Sequence, residues 1–335
     1  MAATTEASPP AVLAEAVQAP RRTRRRRTPD PNREQVRGFD KLWVFVFLAP
    51  FLLLYLGFTL WPLIATIYYS FFDWDGIGPI NDFVGVGNYN SILNDKLFWL
   101  AVVNTLIFAV LNTVIKLPLS LLMAIVLTRK WLRGTKLFRT VFFAPLIIPV
   151  AMAGLVFTYL LNPSNGALNA LLLDLHIVDE PVDVFAGRWS ALIVIVLVSI
   201  WQIFGQYMIY WMAALQNVPE EVYEAADIDG ASEWQKATLI TLPMIKPVAV
   251  VILLLALVNA MHVFGLVVTL TGGGPGTSTY VVSYFIYQEA FGSVPFSYGY
   301  ASAAALIFSV IAFVLVTSQG VFVRRAQKLR KEYGV

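Results

Sequence analysis

Six apolar runs dominate this chain, at residues 42–69, 97–128, 141–161, 189–215, 247–270 and 300–323. Each is as long as the roughly 20-residue helix needed to cross the hydrocarbon core of a bilayer. Five of them contain no Asp, Glu, Lys or Arg, and the second contains Lys116 alone. Charged residues make up only 13% of the 335 positions, about half the share usual in a soluble domain. The expectation is an all-α transmembrane fold of six helices. Pro50 and Pro62 in the first run, Pro118 in the second, and Pro145 and Pro149 in the third predict kinks. Proline is tolerated at such depth where neighbouring helices satisfy the freed carbonyls, so these segments belong in a bundle.

Lys and Arg orient the bundle, because cytoplasmic connections collect them. Nine precede residue 42. Arg129, Lys130, Arg133, Lys136 and Arg139 join the second and third runs, and Arg324, Arg325, Lys328, Arg330 and Lys331 follow the sixth. The opposite side holds only Lys96 and Arg188. Both termini are therefore expected in the cytoplasm, which needs an even number of crossings. Residues 1–40, rich in Ala, Pro, Thr and Arg without apolar periodicity, read as a disordered tail. Its run Arg21, Arg22 and Arg24 to Arg27 reads as a cytoplasmic flank that touches anionic lipid, in preference to a nucleic-acid arm. No cleaved signal peptide is expected, since the apolar run after the basic one is too long for an h-region. With no cysteine, a disulfide framework and cysteine metal sites are excluded. His176 has no second His nearby, so no metal site is expected.

Polar groups inside the runs are costly there and often functional. Ser199, Gln202 and Gln206 share one face of the fourth run at i, i+3 and i+7, and Asn259 and His262 lie at i and i+3 on the fifth. Two readings stand open: a path for a hydroxyl-rich, uncharged solute, or hydrogen bonds that hold helices together. The same choice applies to Asn104 and Asn112. Lys116, near the cytoplasmic end of its run, is expected to snorkel to the headgroups. No acidic residue lies in any run, which argues against an ion-coupled secondary transporter. No nucleophile or acid–base constellation suggests an intramembrane enzyme.

One cytoplasmic connection breaks the charge rule. Residues 216–246 carry Glu220, Glu221, Glu224, Asp227, Asp229 and Glu233 against Lys236 and Lys246. Pro219 with Glu220 and Glu221 suits a helix start. Gly230 and Ala231 supply a turn, and Ser232 with Gln235 has capping-box spacing for a second short helix. Pro243 and Pro247 frame the entry to the next crossing. Small residues at 225, 226, 230 and 231 would let another protein approach closely. A solvated interfacial hairpin accounts for the same pattern equally well.

The run Glu224, Ala225, Ala226, Asp227, Ile228, Asp229, Gly230, Ala231, closed by Ile240, Thr241, Leu242 and Pro243, resembles the Glu-Ala-Ala loop of binding-protein-dependent ABC importer permeases. In that family the loop is a coupling helix that docks into a cleft of a cytoplasmic ATPase. The resemblance implies that Glu224, Ala225, Ala226, Asp229, Gly230, Ala231 and Pro243 form or frame the docking surface. Trp234 stands where the family often has an aromatic residue. Leu270 to Pro275, Tyr287 to Phe291, Tyr298 to Ala303 and Gly85 to Tyr89 resemble the sugar-uptake permeases of the maltose and glycerol-phosphate type, over roughly residues 40–325. The large extra domain that some maltose-type members carry after the first crossing has no counterpart here.

The resemblance implies a second homologous permease, two copies of the ATPase and an extracytoplasmic solute-binding protein as partners. A homodimer of this chain is the less usual arrangement. ATP and Mg would be used by the ATPase, and this chain itself would bind no cofactor. It also implies that Ser199, Gln202, Gln206, Asn259 and His262 lie on helices that line the solute path. A sugar or oligosaccharide is the expected cargo, with a polyol or glycerol-phosphate-like solute as the alternative. The glycine-rich turn Thr271 to Gly276 is no phosphate loop, because no Gly-Lys-Ser/Thr follows. It is expected as a tight turn leaving a membrane helix.

Overall fold

The structure, a computed structural model, describes residues 38–128, 134–292 and 294–332. The basic run of the tail and Arg129, Lys130 and Arg133 lie outside the described residues. The chain divides into two compact units at Leu60 and Trp61. In the first, α1 (Gly38–Tyr55) runs into a π-turn at Leu56–Leu60. Its apolar side chains are exposed and its rings pair at i, i+4, with Trp43 and Phe47 6.0 Å apart between centroids, as are Phe51 and Tyr55. Such a surface suits lipid or another apolar protein face.

The second unit begins with α2 (Trp61–Tyr69) and α3 (Gly87–Leu93), followed by α4 (Lys96–Leu127), α5 (Thr135–Phe143), α6 (Val150–Leu160), α7 (Ala167–Asp174) and α8 (Arg188–Leu215). Then come α9 (Glu220–Ile228), α10 (Glu233–Gln235), α11 (Leu242–Met261), α12 (Gly265–Leu270), α13 (Val282–Tyr287) and α14 (Tyr298–Glu332). Five described helical stretches are long and apolar enough to cross a membrane: Trp43–Tyr69, Lys96–Leu127, Arg188–Leu215, Glu233–Met261 and Tyr298–Gly320.

The third and fifth crossings differ from the sequence expectation. The third is a bent pair, Thr135–Ile147 and Val150–Leu160, at 97° to each other, and makes a sixth span if counted as one. Pro149 is the reason: the residue before a proline is driven out of the helical region, and Ile148 is extended at φ −73°, ψ 125°. The fifth ends at Met261, not at 270. His262 to Phe264 leave helical geometry and α12 starts afresh. Here α12 packs tightly on α6: a Cβ on Gly154 would meet Thr269 Oγ1 at 1.8 Å, and the Thr158 hydroxyl donates to the Thr269 carbonyl at 2.9 Å. The fifth crossing also begins earlier than 247. The short helix α10 passes through a π-turn, Lys236–Thr241, directly into α11, with Pro247 inside the helix. The connection between the fourth and fifth crossings is therefore shorter than 216–246. Prolines at 243 and 247 cannot donate to the helical ladder, and the wide π-turn lies immediately upstream of them.

Two buried apolar clusters form the core. One joins the N-terminal half of α4 (Phe98, Phe108) to the first half of α8 (Ile195, Val198) and to α12, α13 and α14. The other joins the C-terminal half of α4 (Leu117, Leu127) to the second half of α8 (Tyr207, Trp211) and to α11. The turn that follows α12 is tied to α4. Asn104 Nδ2 donates to the carbonyls of Ser278 and Tyr280, each at 2.8 Å, and Arg188 donates to Asn104 Oδ1 at 2.8 Å. The glycine-rich segment forms the expected tight turn, with Gly272, Gly273 and Gly276 at positive φ.

Candidate coupling loop and intramembrane polar layer

Outside the bundle, Pro219 precedes α9 with extended backbone and Glu220 and Glu221 occupy its first turn, where carboxylates meet the positive end of the helix dipole. The helix closes on Gly230 in the left-handed region at φ 73°. The Ala231 amide donates back to the Ala226 carbonyl at 2.9 Å, a glycine-closed helix end. Ser232 and Gln235 form the capping box.

The two faces of α9 differ. Glu224, Ala225, Asp229 and Gly230 are exposed. Ile228 is 87% exposed and Trp234 77%. Ala226 is buried, Ala231 half-buried and Pro243 half-buried in the first turn of α11. The outward surface is thus an acidic rim around an apolar residue, Ile228, which sequence reasoning did not single out. Its position four residues after Glu224 was the available signal, since i and i+4 share a helix face. On the inner face Tyr223 and Thr241 hydroxyls meet at 2.7 Å. Lys236 is ion-paired to Asp227 and, at 2.9 Å, to Glu233. Behind α9 lies a cavity of about 550 Å³, which Thr128 and Arg139 line from the far side.

Inside the bundle, a polar layer separates the two apolar clusters. Lys116 is fully buried, which overturns the snorkelling expectation. Its ammonium donates to Asn112 Oδ1 at 2.8 Å and sits 4.1 Å from the centroid of the Tyr207 ring. Asn112 Nδ2 donates to Ser199 Oγ at 3.0 Å, and Asn259 Nδ2 reaches the Tyr207 hydroxyl at 3.3 Å. The reason is angular: Asn112, Lys116 and Ser120 repeat every four residues on the face of α4 that packs on α8, so the side chain points inward and not along the helix to the headgroups.

The sequence-predicted path residues separate. Ser199 and Gln202 are buried and committed to packing, Gln202 by donating to the Ile148 carbonyl at the bend at 2.9 Å. Gln206 is half-buried and donates to the Tyr210 hydroxyl at 2.7 Å. Asn259 and His262 are exposed at the end of α11. Asn104 is bonded to the turn after α12. The structure joins Asn112, Ser199 and Asn259 into one network through Lys116 and Tyr207, neither of which was assigned to it from the sequence.

Residues 116–328 match the family described as the binding-protein-dependent transport system inner membrane component. The chain belongs to this family. It is 34% identical over 294 residues to the probable ABC transporter permease protein YurN of Bacillus subtilis (strain 168), covering 86% of this chain and 98% of that one. It is 32% identical over 275 residues to the lactose transport system permease protein LacF of Rhizobium radiobacter, covering 82% and 90%. Among solved structures it is similar to a chain of a bacterial alginate ABC transporter in complex with an alginate pentasaccharide-bound periplasmic protein. The TM-score is 0.76 at 25% identity, over 88% of this chain and 98% of that one. The chain is therefore a multi-span membrane permease of a binding-protein-dependent importer. In this permease the acidic loop and the polar layer are two places where side-chain chemistry departs from an apolar bundle.

Proposed function

We propose that this permease imports a sugar or oligosaccharide by alternating access, driven by ATP hydrolysed on a cytoplasmic ATPase that docks against the exposed face of α9. The observation that carries the coupling role is that face: Glu224, Ala225, Ile228, Asp229 and Gly230 are presented outside the bundle with no large side chain beside the glycine. Among the described residues a Cβ on Gly230 would meet nothing within 4 Å, so bulk there, beyond the strain of its left-handed backbone, meets a partner. The sugar reading rests on the saccharide cargoes named for LacF and the alginate transporter. The remaining partners are a second permease subunit and an extracytoplasmic solute-binding protein. Both termini lie in the cytoplasm, and Gln206, Asn259 and His262 are the polar side chains best placed to meet solute.

The test is substitution within the assembled complex. Gly230→Trp and Glu224→Lys should leave the permease inserted and folded, while ATPase co-purification, transport and solute-stimulated ATP hydrolysis fall together. Reversing the Glu224 charge in a desolvated interface is expected to cost about 2–5 kcal/mol. Gly230→Asn, which tolerates the left-handed backbone, controls for strain and should retain more ATPase than Gly230→Trp. Full coupling in both Gly230→Trp and Glu224→Lys would remove the docking role from this loop.

A further inference from the structure

Lys116 carries a positive charge that the spanning segments cannot answer. No Asp or Glu lies in any of the six apolar runs, so they offer it no carboxylate in any arrangement. Its ammonium is met by the Asn112 amide oxygen at 2.8 Å and lies 4.1 Å from the centroid of the Tyr207 ring, and both partners are neutral. An apolar side chain of similar volume often serves stability as well as a buried ion, so the fold by itself gives no reason for the charge. An ionisable residue at membrane depth commonly marks a solute or ion pathway.

A short route leads from this charge to the surface. Tyr207 is fully buried, and its hydroxyl accepts from Asn259 Nδ2 at 3.3 Å. Asn259 is exposed, as is His262 one turn on. One ring and one amide therefore separate the ammonium from the residues proposed above to meet solute. Because Lys116 is fully buried, salt and water screen its field little. Two unit charges roughly 8 Å apart, at an effective dielectric constant of about 20, attract by an amount worth on the order of thirty-fold in a binding constant. A neutral sugar gains nothing of this kind.

From this arrangement we infer that Lys116 is a specificity-determining residue, whose buried charge makes the solute path at Asn259 and His262 favour sugars that bear a carboxylate over their neutral counterparts. Lys116 acts across Tyr207 and Asn259 without touching the solute. The inference rests on the saccharide path proposed above.

The test reads the potential of the path and its ligand separately, in the complex of this permease with its partner permease and ATPase, held in lipid nanodiscs where both faces are open. The solute-binding protein is left out, because its own selectivity would hide the permease's. This chain contains no cysteine, so Asn259→Cys gives it a single thiol beside cysteine-free partner subunits. The thiol is modified by an anionic and by a cationic methanethiosulfonate, with His262 unchanged throughout. The anionic-to-cationic rate ratio should fall at least about ten-fold when Lys116→Met is added, and Lys116→Arg should keep it. With Asn259 restored, galacturonate should bind about ten-fold more tightly than galactose. Lys116→Met should bring the two within about two-fold by weakening galacturonate alone. Lys116→Gln serves as the second neutral variant should Lys116→Met fail to fold. A rate ratio that neither neutral variant moves overturns the inference, and so does a galacturonate preference that survives in them or is missing from wild type. A ratio that favours the cationic reagent while Lys116 is present also overturns it, because a carboxylate of the partner permease would then answer the charge. A ratio that falls as expected with no binding of either sugar would instead remove the saccharide reading, and with it the ligand named here.

Discussion

Two buried lysines stand in opposite electrostatic settings. Lys236, in the π-turn that leads into α11, meets two carboxylates, Asp227 and Glu233. Lys116, inside the bundle, meets a neutral amide oxygen and an aromatic face. A cation at membrane depth costs about 2.5–3.5 kcal/mol on insertion scales. A cation–π contact returns roughly 2 kcal/mol when desolvated, and a hydrogen bond from a charged donor about 1.5–3 kcal/mol. The two returns are sufficient to hold Lys116 in place without a counter-ion. The comparison teaches that, among the described residues, this bundle holds its one buried cation with neutral partners, whereas the acidic loop holds its lysine with matched carboxylates.

The strongest way to break the contrast is to reverse the sign inside the membrane. Lys116→Glu would place a carboxylate against Asn112 Oδ1 and the negative face of Tyr207, leaving it uncompensated. An unpaired buried charge costs about 3–5 kcal/mol, so the folded protein recovered from membranes and its thermal stability in detergent should both collapse. Lys116→Met, which removes the charge altogether, should stay close to wild type in the same assays. Without a buried cation there is no desolvation penalty, and that relief offsets the missing hydrogen bond to Asn112 and the missing cation–π attraction to Tyr207. Equal collapse in both variants would show that the ammonium itself holds the helices.

A smaller effect is expected from Asn112→Ala. It removes the acceptor of Lys116 and the donor to Ser199 together, at about 1.5–3 kcal/mol, read as a lower melting temperature with insertion intact. An unchanged melting temperature would mean that Tyr207 alone suffices for the ammonium. The smallest effect belongs to the contacts of Lys236. Glu233→Gln weakens one of two carboxylate contacts to Lys236, on a side chain that is 56% exposed, and solvent screening keeps such contacts weak. Transport and solute-stimulated ATP hydrolysis should stay within two-fold of wild type; a larger loss would make Glu233, and not Asp227, the main anchor.

Much of the acidic loop was legible in the sequence because its structure is local. The Ser232–Gln235 capping box, the Gly230 turn and the acidic first turn of α9 each arise within a few residues. Ala226 lies on the inner side and not on the outer surface, since residue type alone does not say which side of a short helix meets the protein. The spacing of Ile228 from Glu224 puts the two on one face of α9 but does not say that this face is outward. Its exposure depends on where α9 lies against the π-turn, which is a tertiary fact.

The sequence by itself determined the solvent, the helical class and the approximate spans. Long runs without charge have only one economical environment, and backbone groups in lipid must be satisfied within the segment. The four-residue repeat of Asn112, Lys116 and Ser120 on α4 was also present in the sequence, but what that face meets was not. Only the tertiary structure decided that it packs on α8, so that Lys116 turns inward to Asn112 and Tyr207. It likewise decided that the third crossing bends by 97° and that the fifth breaks after Met261 where α12 settles on α6. It also bound Ser199 and Gln202 into packing while leaving Asn259 and His262 exposed. Each of these outcomes depends on a partner far away in the chain, and periodicity within one helix records which residues share a face without naming what that face will touch.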